Sequence, residues 1–320
     1  MTAPTVIAIV IGGFLLLVFA LVFLISYITY AIAFKRQRKP TQPYDGLDRP
    51  SFAEHRELSR SLIGNITSVN WEKVSITARD GTPLSALYFR QSETAPLQIM
   101  CHGYKSHPLK DMSGGGSEAL KRGYNLLLVK HRAHHESGGR CLTFGALERL
   151  DVADWIDWHN EKYGDKSPII LVGISMGAAT VILASALPLP GNVRCVIADC
   201  PYSSAEAILK KEIGEMHLPV SIFYPLMRLG ARIYGGFRIE DACVKEAAKE
   251  KRLPLLLIHG EEDRFVPTDM SREISEAASG VCELHTFPGA HHGTSYLTDP
   301  VGYMQIVDTF IKKYSGEAND

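Results

Sequence analysis

The sequence has no closely paired cysteines and no excess of charge of either sign. Its six cysteines lie far apart, without a Cys-x-x-Cys pair, which excludes a disulfide-dense framework and a zinc-finger type of site. The 34 Lys and Arg residues nearly balance the 35 Asp and Glu residues, which disfavours nucleic-acid binding. With 46% hydrophobic and 22% charged residues among 320, the composition is that of a globular protein of one large domain or two small ones.

Charge is absent from the N-terminal segment. Residues 5–34 hold no charged side chain, and residues 6–25 form an apolar run of about the 20 residues that a helix needs to cross a bilayer. Three aromatic residues follow, at Tyr27, Tyr30 and Phe34. Four basic residues come next, at Lys35, Arg36, Arg38 and Lys39. We interpret residues 1–34 as a single-pass transmembrane anchor with an interfacial aromatic belt.

A cleaved signal peptide is the main alternative for this segment. It would carry positive charge before the apolar run, and its run would have only about 7–15 residues. Here the basic residues follow a longer run. By the positive-inside rule, this cluster predicts that the body of the protein lies in the cytoplasm and that residues 1–4 lie outside.

The remainder of the chain predicts a linker followed by an α/β domain. Residues 35–68 are interpreted as a basic juxtamembrane linker that passes into a short helix near residues 52–62, and residues 71–89 have a hairpin pattern. Six strand-like apolar segments follow, at residues 97–101, 125–129, 168–172, 193–198, 254–258 and 282–287. Helical patterns lie between or after them, at residues 112–122, 147–163, 176–186, 268–279 and 301–313. This alternation predicts, for residues 69–320, a mostly parallel central sheet flanked by helices.

One interval interrupts the alternation. Residues 201–252 have several helical stretches and aromatic side chains but no convincing strand. We interpret this interval as a small helical cap inserted over the carboxyl ends of the strands. The alternative is that these additional helices pack beside the sheet.

A candidate nucleophile lies between a predicted strand and a predicted helix. Residues 173–177 read Gly-Ile-Ser-Met-Gly, and at such a turn the glycines permit the tight geometry that exposes a serine hydroxyl. Ser175 is therefore the candidate nucleophile, and the amide of Met176 is a candidate oxyanion-hole donor. The structural alternative is a serine that only caps the helix.

A serine hydroxyl needs a general base, and the base needs an acid that orients it. Candidates for both follow predicted strands, at the same edge of the sheet as the nucleophile. The acid candidates, in order of preference, are Asp263, Glu262 and Asp199. The base candidates are the adjacent His291 and His292, and the order of the chain alone leaves this choice open.

From about residue 69 to residue 313 the chain resembles the α/β-hydrolase superfamily. The resemblance is greatest to membrane-anchored, bacterial-type serine esterases related to the prolyl oligopeptidase and dienelactone hydrolase branches. Residues 292–296, His-Gly-Thr-Ser-Tyr, resemble the family's last catalytic loop, which implies that His292 is the base. Residues 102–105, His-Gly-Tyr-Lys, resemble its His-Gly-x motif, which implies that the Tyr104 amide is the second oxyanion donor and that His102 braces the loop.

Residues 130–139 resemble the family's Asp-x-Arg-x-His-Gly-x-Ser-x-Gly loop with two departures. Lys130 replaces the aspartate, and His135 occupies a backbone position that glycine would fill more easily. The resemblance implies structural roles for four polar residues, Arg132, Ser137, Glu148 and Asp151. A metal site is an alternative for the clustered histidines His102, His131, His134 and His135, but their Gly- and Ser-containing loop lacks clustered carboxylate or thiolate partners, so we expect no metal.

These observations predict a serine hydrolase that cleaves acyl esters or thioesters, without a cofactor, through Ser175, Asp263 and His292. The anchor and an apolar cap favour a small-molecule or lipid-like acyl ester as the substrate. One alternative is a peptidase or amidase of the prolyl oligopeptidase type. The other is a non-catalytic, membrane-anchored scaffold.

Overall fold

The computed structural model describes residues 2–37, 39–250 and 253–315. Four parts of the predicted segments lie outside the described residues. They are Met1 of the predicted anchor, Arg38 of the basic cluster, residues 251–252 at the end of the predicted cap, and residues 316–320 at the C-terminus.

The described residues form one eight-stranded sheet with the strand order β1-β2-β4-β3-β5-β6-β7-β8. Its strands are β1 Glu72–Thr77, β2 Pro83–Phe89, β3 Leu97–Cys101, β4 Asn125–Lys130, β5 Ile169–Ile174, β6 Val193–Asp199, β7 Leu255–Gly260 and β8 Cys282–Phe287. The β1–β2 and β2–β4 pairs are antiparallel, and all other neighbouring strands are parallel. The predicted α/β class and mostly parallel sheet are therefore confirmed.

Helices precede the sheet, alternate with its strands and follow its last strand. They are α1 Ala3–Ala33, α2 Arg56–Thr67, α3 Pro108–Asp111, α4 Ser113–Lys121, α5 Glu148–Tyr163, α6 Met176–Ser185, α7 Ala205–Glu215, α8 Val220–Gly230, α9 Val244–Glu250, α10 Asp269–Ala277, α11 Ser295–Thr298 and α12 Pro300–Tyr314. The predicted helix at residues 112–122 is instead the pair α3 and α4, which meet at Met112. Helix α3 begins before the predicted start for two reasons. Pro108 at its first position has no backbone N–H that would need a partner, and the His107 side chain accepts a hydrogen bond from the Leu109 amide.

The central strands are buried on both faces. Alternate residues point to opposite sides, so that Ile99 and Leu127 belong to the core on one face while Met100 and Leu128 belong to the core on the other. All four are fully buried. Helices on both faces explain why these strands are continuously apolar and not alternating.

The long helix α1 has an exposed part and a packed part. Within the described residues it is the one helix long and apolar enough to cross a membrane. Its last turns are packed, with Ser26, Thr29, Tyr30 and Ala33 buried. They lie against α8, where Gly230 approaches so closely that an added Cβ would lie 2.1 Å from the Ser26 carbonyl oxygen.

The chain after α1 is part of the packed body. Phe34 is completely buried, and its ring centroid lies 5.6 Å from that of Phe144 and 5.1 Å from that of Phe237. Lys35 forms an antiparallel bridge with Cys141. The end of α1 and the following residues therefore have a defined position relative to the sheet.

We expect the substitution Gly230→Ala to destabilise the protein. The added methyl group collides with the backbone of α1, and overpacking of this kind costs about 1–3 kcal/mol. Gly214→Ala is the matched control because an added Cβ there would lie at an ordinary 3.8 Å from the Val220 side chain, so the higher helix propensity of alanine should leave stability unchanged or raised. Thermal melting in detergent measures both effects, and a Gly230→Ala protein that melts at or above the wild-type temperature would contradict the close packing.

Candidate active site

Ser175 occupies a strained turn between β5 and α6. Its φ of 55° lies in a region that non-glycine residues rarely adopt. A Cβ at Gly173 would lie 2.3 Å from the Gly177 carbonyl oxygen, and one at Gly177 would lie 1.9 Å from the Cys101 carbonyl oxygen. The two glycines are therefore required for the close approach of α6 to the strands, which places the Ser175 hydroxyl at the sheet edge.

The structure brings Ser175, His292 and Asp263 together. The Oγ of Ser175 lies 2.9 Å from Nε2 of His292, and Nδ1 of His292 lies 2.6 Å from Oδ2 of Asp263. The neighbouring His291 points elsewhere, with Nδ1 at 3.1 Å from the Glu262 carbonyl oxygen. The geometry thus separates two histidines that the order of the chain could not.

Asp263 is held as a charged acceptor. Its Oδ1 accepts hydrogen bonds from the amides of Phe265 and Val266, both at 2.9 Å, and its Oδ2 lies 3.2 Å from Nε2 of His259. Burial raises the pKa of Asp263, but the hydrogen bonds from His259 and His292 outweigh burial and hold the pKa well below its usual range. His259, at the end of β7, is a positioning residue that the sequence analysis did not identify.

The other acid candidates are placed differently. Asp199 is buried, and burial raises its pKa to about 6.

Cys200, Asp263 and His292 offer three potential metal-ligand atoms within 4.8 Å of one another. However, Asp263 and His292 already bond to each other, and burial keeps the pKa of the Cys200 thiol far above neutrality. The hydrogen-bonded chain therefore accounts for this cluster without an ion.

The loop after β3 lies against the nucleophile. A Cβ at Gly103 would lie 3.4 Å from the Ser175 Cβ. Asp111 holds this loop, since it accepts hydrogen bonds from the Gly103 amide at 2.7 Å and the Ser106 hydroxyl at 2.6 Å. Asp111 is a second positioning residue that the sequence analysis missed. Neither predicted oxyanion donor amide, at Tyr104 or Met176, has a hydrogen-bond acceptor within the described part of the chain.

Neutral histidines brace the loops beside the site. His102 accepts a hydrogen bond from the His131 amide at 3.3 Å, and the His131 ring lies 3.1 Å from the His102 carbonyl oxygen. His134 accepts from the Lys105 amide at 3.1 Å. Burial, followed by the neighbouring histidines, lowers the pKa of His102, and burial lowers that of His131 to about 3 and that of His134 to about 4. These rings therefore act as neutral braces at pH 7.

The two departures from the family loop have visible consequences. His135 adopts a φ of 46°, the left-handed conformation in which glycine is more stable. Lys130 forms an ion pair with Glu136 at 2.7 Å. Arg132 has the structural role that the resemblance implies, because it binds both carboxylate oxygens of the buried Asp151.

A cavity of about 850 Å³ opens beside Ser175 and His292. The segment that the sequence analysis interprets as a linker supplies part of its wall, including Leu47, Arg49, Pro50, Phe52, Ser59 and Ile63. No local motif marks these residues, because their role depends on α2 packing against α4. The juxtamembrane segment is thus a structural part of the site.

Two family models match the chain. One described as X-Pro dipeptidyl-peptidase (S15 family) matches residues 40–214, and one described as Serine aminopeptidase, S33, matches residues 227–296. The chain is 25% identical to the uncharacterized protein YqkD of Bacillus subtilis over 232 residues, which cover 72% of this chain and 76% of that protein. It is 24% identical to protein bem46 of Schizosaccharomyces pombe over 258 residues, which cover 76% of this chain and 77% of that protein.

The structure is also similar to solved hydrolase structures. Superposition with the esterase Pf2001 of Pyrococcus furiosus gives a TM-score of 0.63 at 26% sequence identity. The match covers 79% of this chain and 94% of the esterase.

The Asp111→Ala variant should lose turnover and not substrate affinity. Without its carboxylate the Gly103 amide loses its anchor, and misplacement of catalytic donors by about 1 Å can cost about 100-fold in rate. We expect kcat for a p-nitrophenyl ester to fall by about 10- to 100-fold, while Asp111→Asn, which keeps an acceptor oxygen, loses less. A rise in KM with unchanged kcat would contradict a role in placing the donors.

Stability should fall on acidification because the bracing histidines are neutral when folded. Their pKa values, about 3 for His131 and about 4 for His134, lie below the unfolded value of about 6.5. Stability is therefore complete above pH ~6.5 and is lost as the pH falls through this window. The His131→Gln variant keeps a donor for the His102 carbonyl but cannot titrate, so its melting temperature should depend less on pH than that of the wild type; equal slopes would contradict the assignment.

Proposed function

We propose that this chain, which belongs to the family described as X-Pro dipeptidyl-peptidase (S15 family) within the α/β-hydrolase superfamily, is a membrane-anchored serine hydrolase. Its proposed substrates are acyl esters or thioesters. That it is a hydrolase of the serine-hydrolase type follows from the family and from its esterase neighbours. The observation that carries the finer proposal is the continuous hydrogen-bonded chain from Ser175 through His292 to Asp263, beside a large cavity.

In the proposed mechanism Ser175 attacks the carbonyl carbon of the substrate. His292 accepts the hydroxyl proton through Nε2 and then donates it to the leaving alcohol or thiol, which yields an acyl-enzyme. In the second step His292 takes a proton from water as the water oxygen attacks the acyl carbon, and it returns this proton to Oγ of Ser175 as the acyl–Oγ bond breaks and the acid leaves. Asp263 remains ionised, orients the ring through Nδ1 and stabilises its positive charge.

We assign the oxyanion hole to the amides of Met176 and Tyr104. Both amides lack a partner within the described residues, and both belong to segments adjacent to Ser175. Donors that need no reorganisation stabilise the negative charge that develops on the substrate oxygen. The bond from the Tyr104 hydroxyl to the Ala33 carbonyl oxygen, at 2.8 Å, ties this hole to the end of α1.

The charge of the cavity wall favours acyl esters over dipeptidyl substrates. A dipeptidyl peptidase must hold a free ammonium group, for which an available carboxylate is needed. Of the carboxylates among the described lining residues, Asp111 is engaged with its own loop and Asp199 is buried, whereas Glu262 is exposed. Basic side chains also line the cavity, including Arg49, Lys110 and Arg264. The S15 match nevertheless keeps an X-Pro peptidase as the second candidate.

We propose that residues 1–34 form a retained anchor and that the catalytic domain lies in the cytoplasm. Retention is supported by Phe34, whose buried ring would be lost with a cleaved signal sequence. The cytoplasmic side is supported by the basic residues that follow the apolar run. In this division residues 35–68 connect the anchor to a catalytic domain of residues 69–320, with α7 and α8 inside the cap insertion at 201–252.

Labelling by a fluorophosphonate probe tests the proposed nucleophile. The detergent-solubilised wild type should be labelled and should hydrolyse p-nitrophenyl esters, whereas Ser175→Ala should do neither. Asp263→Asn should lower kcat by about 10⁴-fold, because the ring of His292 loses its orientation and tautomer. The matched control is Asp269→Asn, whose side chain is 87% exposed and whose kcat should equal that of the wild type.

The same preparations separate the candidate functions. Faster turnover of X-Pro p-nitroanilides than of any p-nitrophenyl ester would replace the esterase by the peptidase. A folded wild type that neither labels nor hydrolyses either substrate class would contradict both and would leave a non-catalytic scaffold.

A further inference from the structure

An apolar surface on the cap is exposed next to α1. Met216, Leu218 and Ile222 are 54%, 36% and 56% exposed, and they lie at the N-terminal end of α8 and in the loop before it. We call these three residues the α8 surface. Clustered apolar side chains of this kind mark a surface that contacts a partner or a membrane.

We infer that the α8 surface inserts into the lipid bilayer beside α1, so that the enzyme contacts the membrane through its cap as well as its anchor. The inference rests on the proposed anchor. The partner is the lipid surface itself, at the boundary between headgroups and acyl chains.

Contacts along α1 establish how deep this surface lies. Gly230 approaches Ser26, and the rings of Phe237 and Phe34 lie 5.1 Å apart. Between these two contacts the Tyr234 side chain reaches back along α1, with its ring 5.2 Å from that of Tyr27 and its hydroxyl donating to the Phe23 carbonyl oxygen at 3.2 Å. Residue numbers rise together from the first contact to the last, so the two segments run in the same direction. Counting eight residues, about two helical turns, back from Gly230 and from Ser26 places Ile222 at the level of Val18.

The length of α1 leaves little space between the body and the membrane. Apart from Gly12, its residues from Ala3 to Leu21 are exposed, a length of about 28 Å at 1.5 Å per residue. A hydrocarbon core is about 30 Å thick, so the whole exposed part of α1 is needed to cross it. The level of Val18 then lies about 5 Å inside the boundary, which is the depth at which interfacial helices bury their apolar residues.

The order of side chains on α8 agrees with this depth. Beyond the apolar end, its exposed residues include Arg228, which pairs with Glu240 at 3.3 Å, and Arg232 follows in the next turn. In the same register they lie further from the bilayer centre, where lipid phosphates accept hydrogen bonds from arginine. Glu215, the acidic residue next to the α8 surface, pairs with Lys211 at 2.6 Å, which reduces the cost of its approach to lipid.

The helix that precedes this surface contacts the wall of the active-site cavity. Lys211 on α7 lies over the ring of Phe265, 5.9 Å from its centroid, and Phe265 lines the cavity. Insertion of the α8 surface would therefore hold the cavity close to substrates dissolved in the bilayer.

Fluorescence quenching in liposomes tests the inference with the full-length protein. An environment-sensitive fluorophore is attached at Ile222→Cys, at Leu16→Cys in α1, or at Val281→Cys, an exposed apolar residue next to the N-terminal end of β8. Wild type treated in parallel corrects for native cysteines. Nitroxide-labelled lipids should quench the probes at positions 16 and 222, and the probe at position 281 should remain unquenched.

The outcomes separate the inference from the anchor. Quenching at position 16 with none at position 222 would overturn insertion of the α8 surface while leaving the anchor intact. Absence of quenching at position 16 would overturn the anchor and, with it, the inference. Since Ile222 is exposed, the Ile222→Cys protein should retain wild-type hydrolysis of a water-soluble ester, which verifies that the labelled protein is folded.

Discussion

The shared edge at which the parallel strands end is the constraint on which the site depends. Strands β3, β5, β7 and β8 come from distant parts of the chain, but their pairing aligns their carboxyl ends. The loops that follow them carry Tyr104, Ser175, Asp263 and His292. Hydrogen bonds of the sheet therefore bring these residues within reach of one another, and no local interaction between them is needed to form the fold.

Close packing at this edge also explains the unusual backbone. The strained φ of Ser175 is tolerated because α6 is pressed against β5 and β3 through Gly173 and Gly177. Buried neutral histidines, above all His102 and His131, hold the adjacent loops without placing additional charge near the nucleophile. Asp263 supplies a negative charge behind the His292 ring, and three hydrogen bonds stabilise it, from the amides of Phe265 and Val266 and from His292.

The apolar helix α1 and the sheet domain pack against each other. The end of α1 packs on α8, Phe34 enters the core, and the following segment supplies part of the cavity wall. A free linker would let the domain move away from the bilayer. If α1 is the anchor that we propose, this packing gives the cavity a defined distance from the membrane, which suits the proposed lipid-like substrate.

The strand and helix alternation, the apolar N-terminal helix and the serine at a strand-to-helix turn can be read from the sequence, because periodicity, charge and glycine spacing are local properties. The sequence also favours Asp263 as the acid, and the family resemblance implies His292 as the base; both catalytic roles are proposals. The tertiary structure adds the hydrogen bond that joins His292, and not His291, to Ser175, the support of the site by Asp111 and His259, and the position of the juxtamembrane segment in the cavity wall. These features depend on the direction of a side chain and on contacts between residues far apart in the chain, neither of which a local pattern encodes.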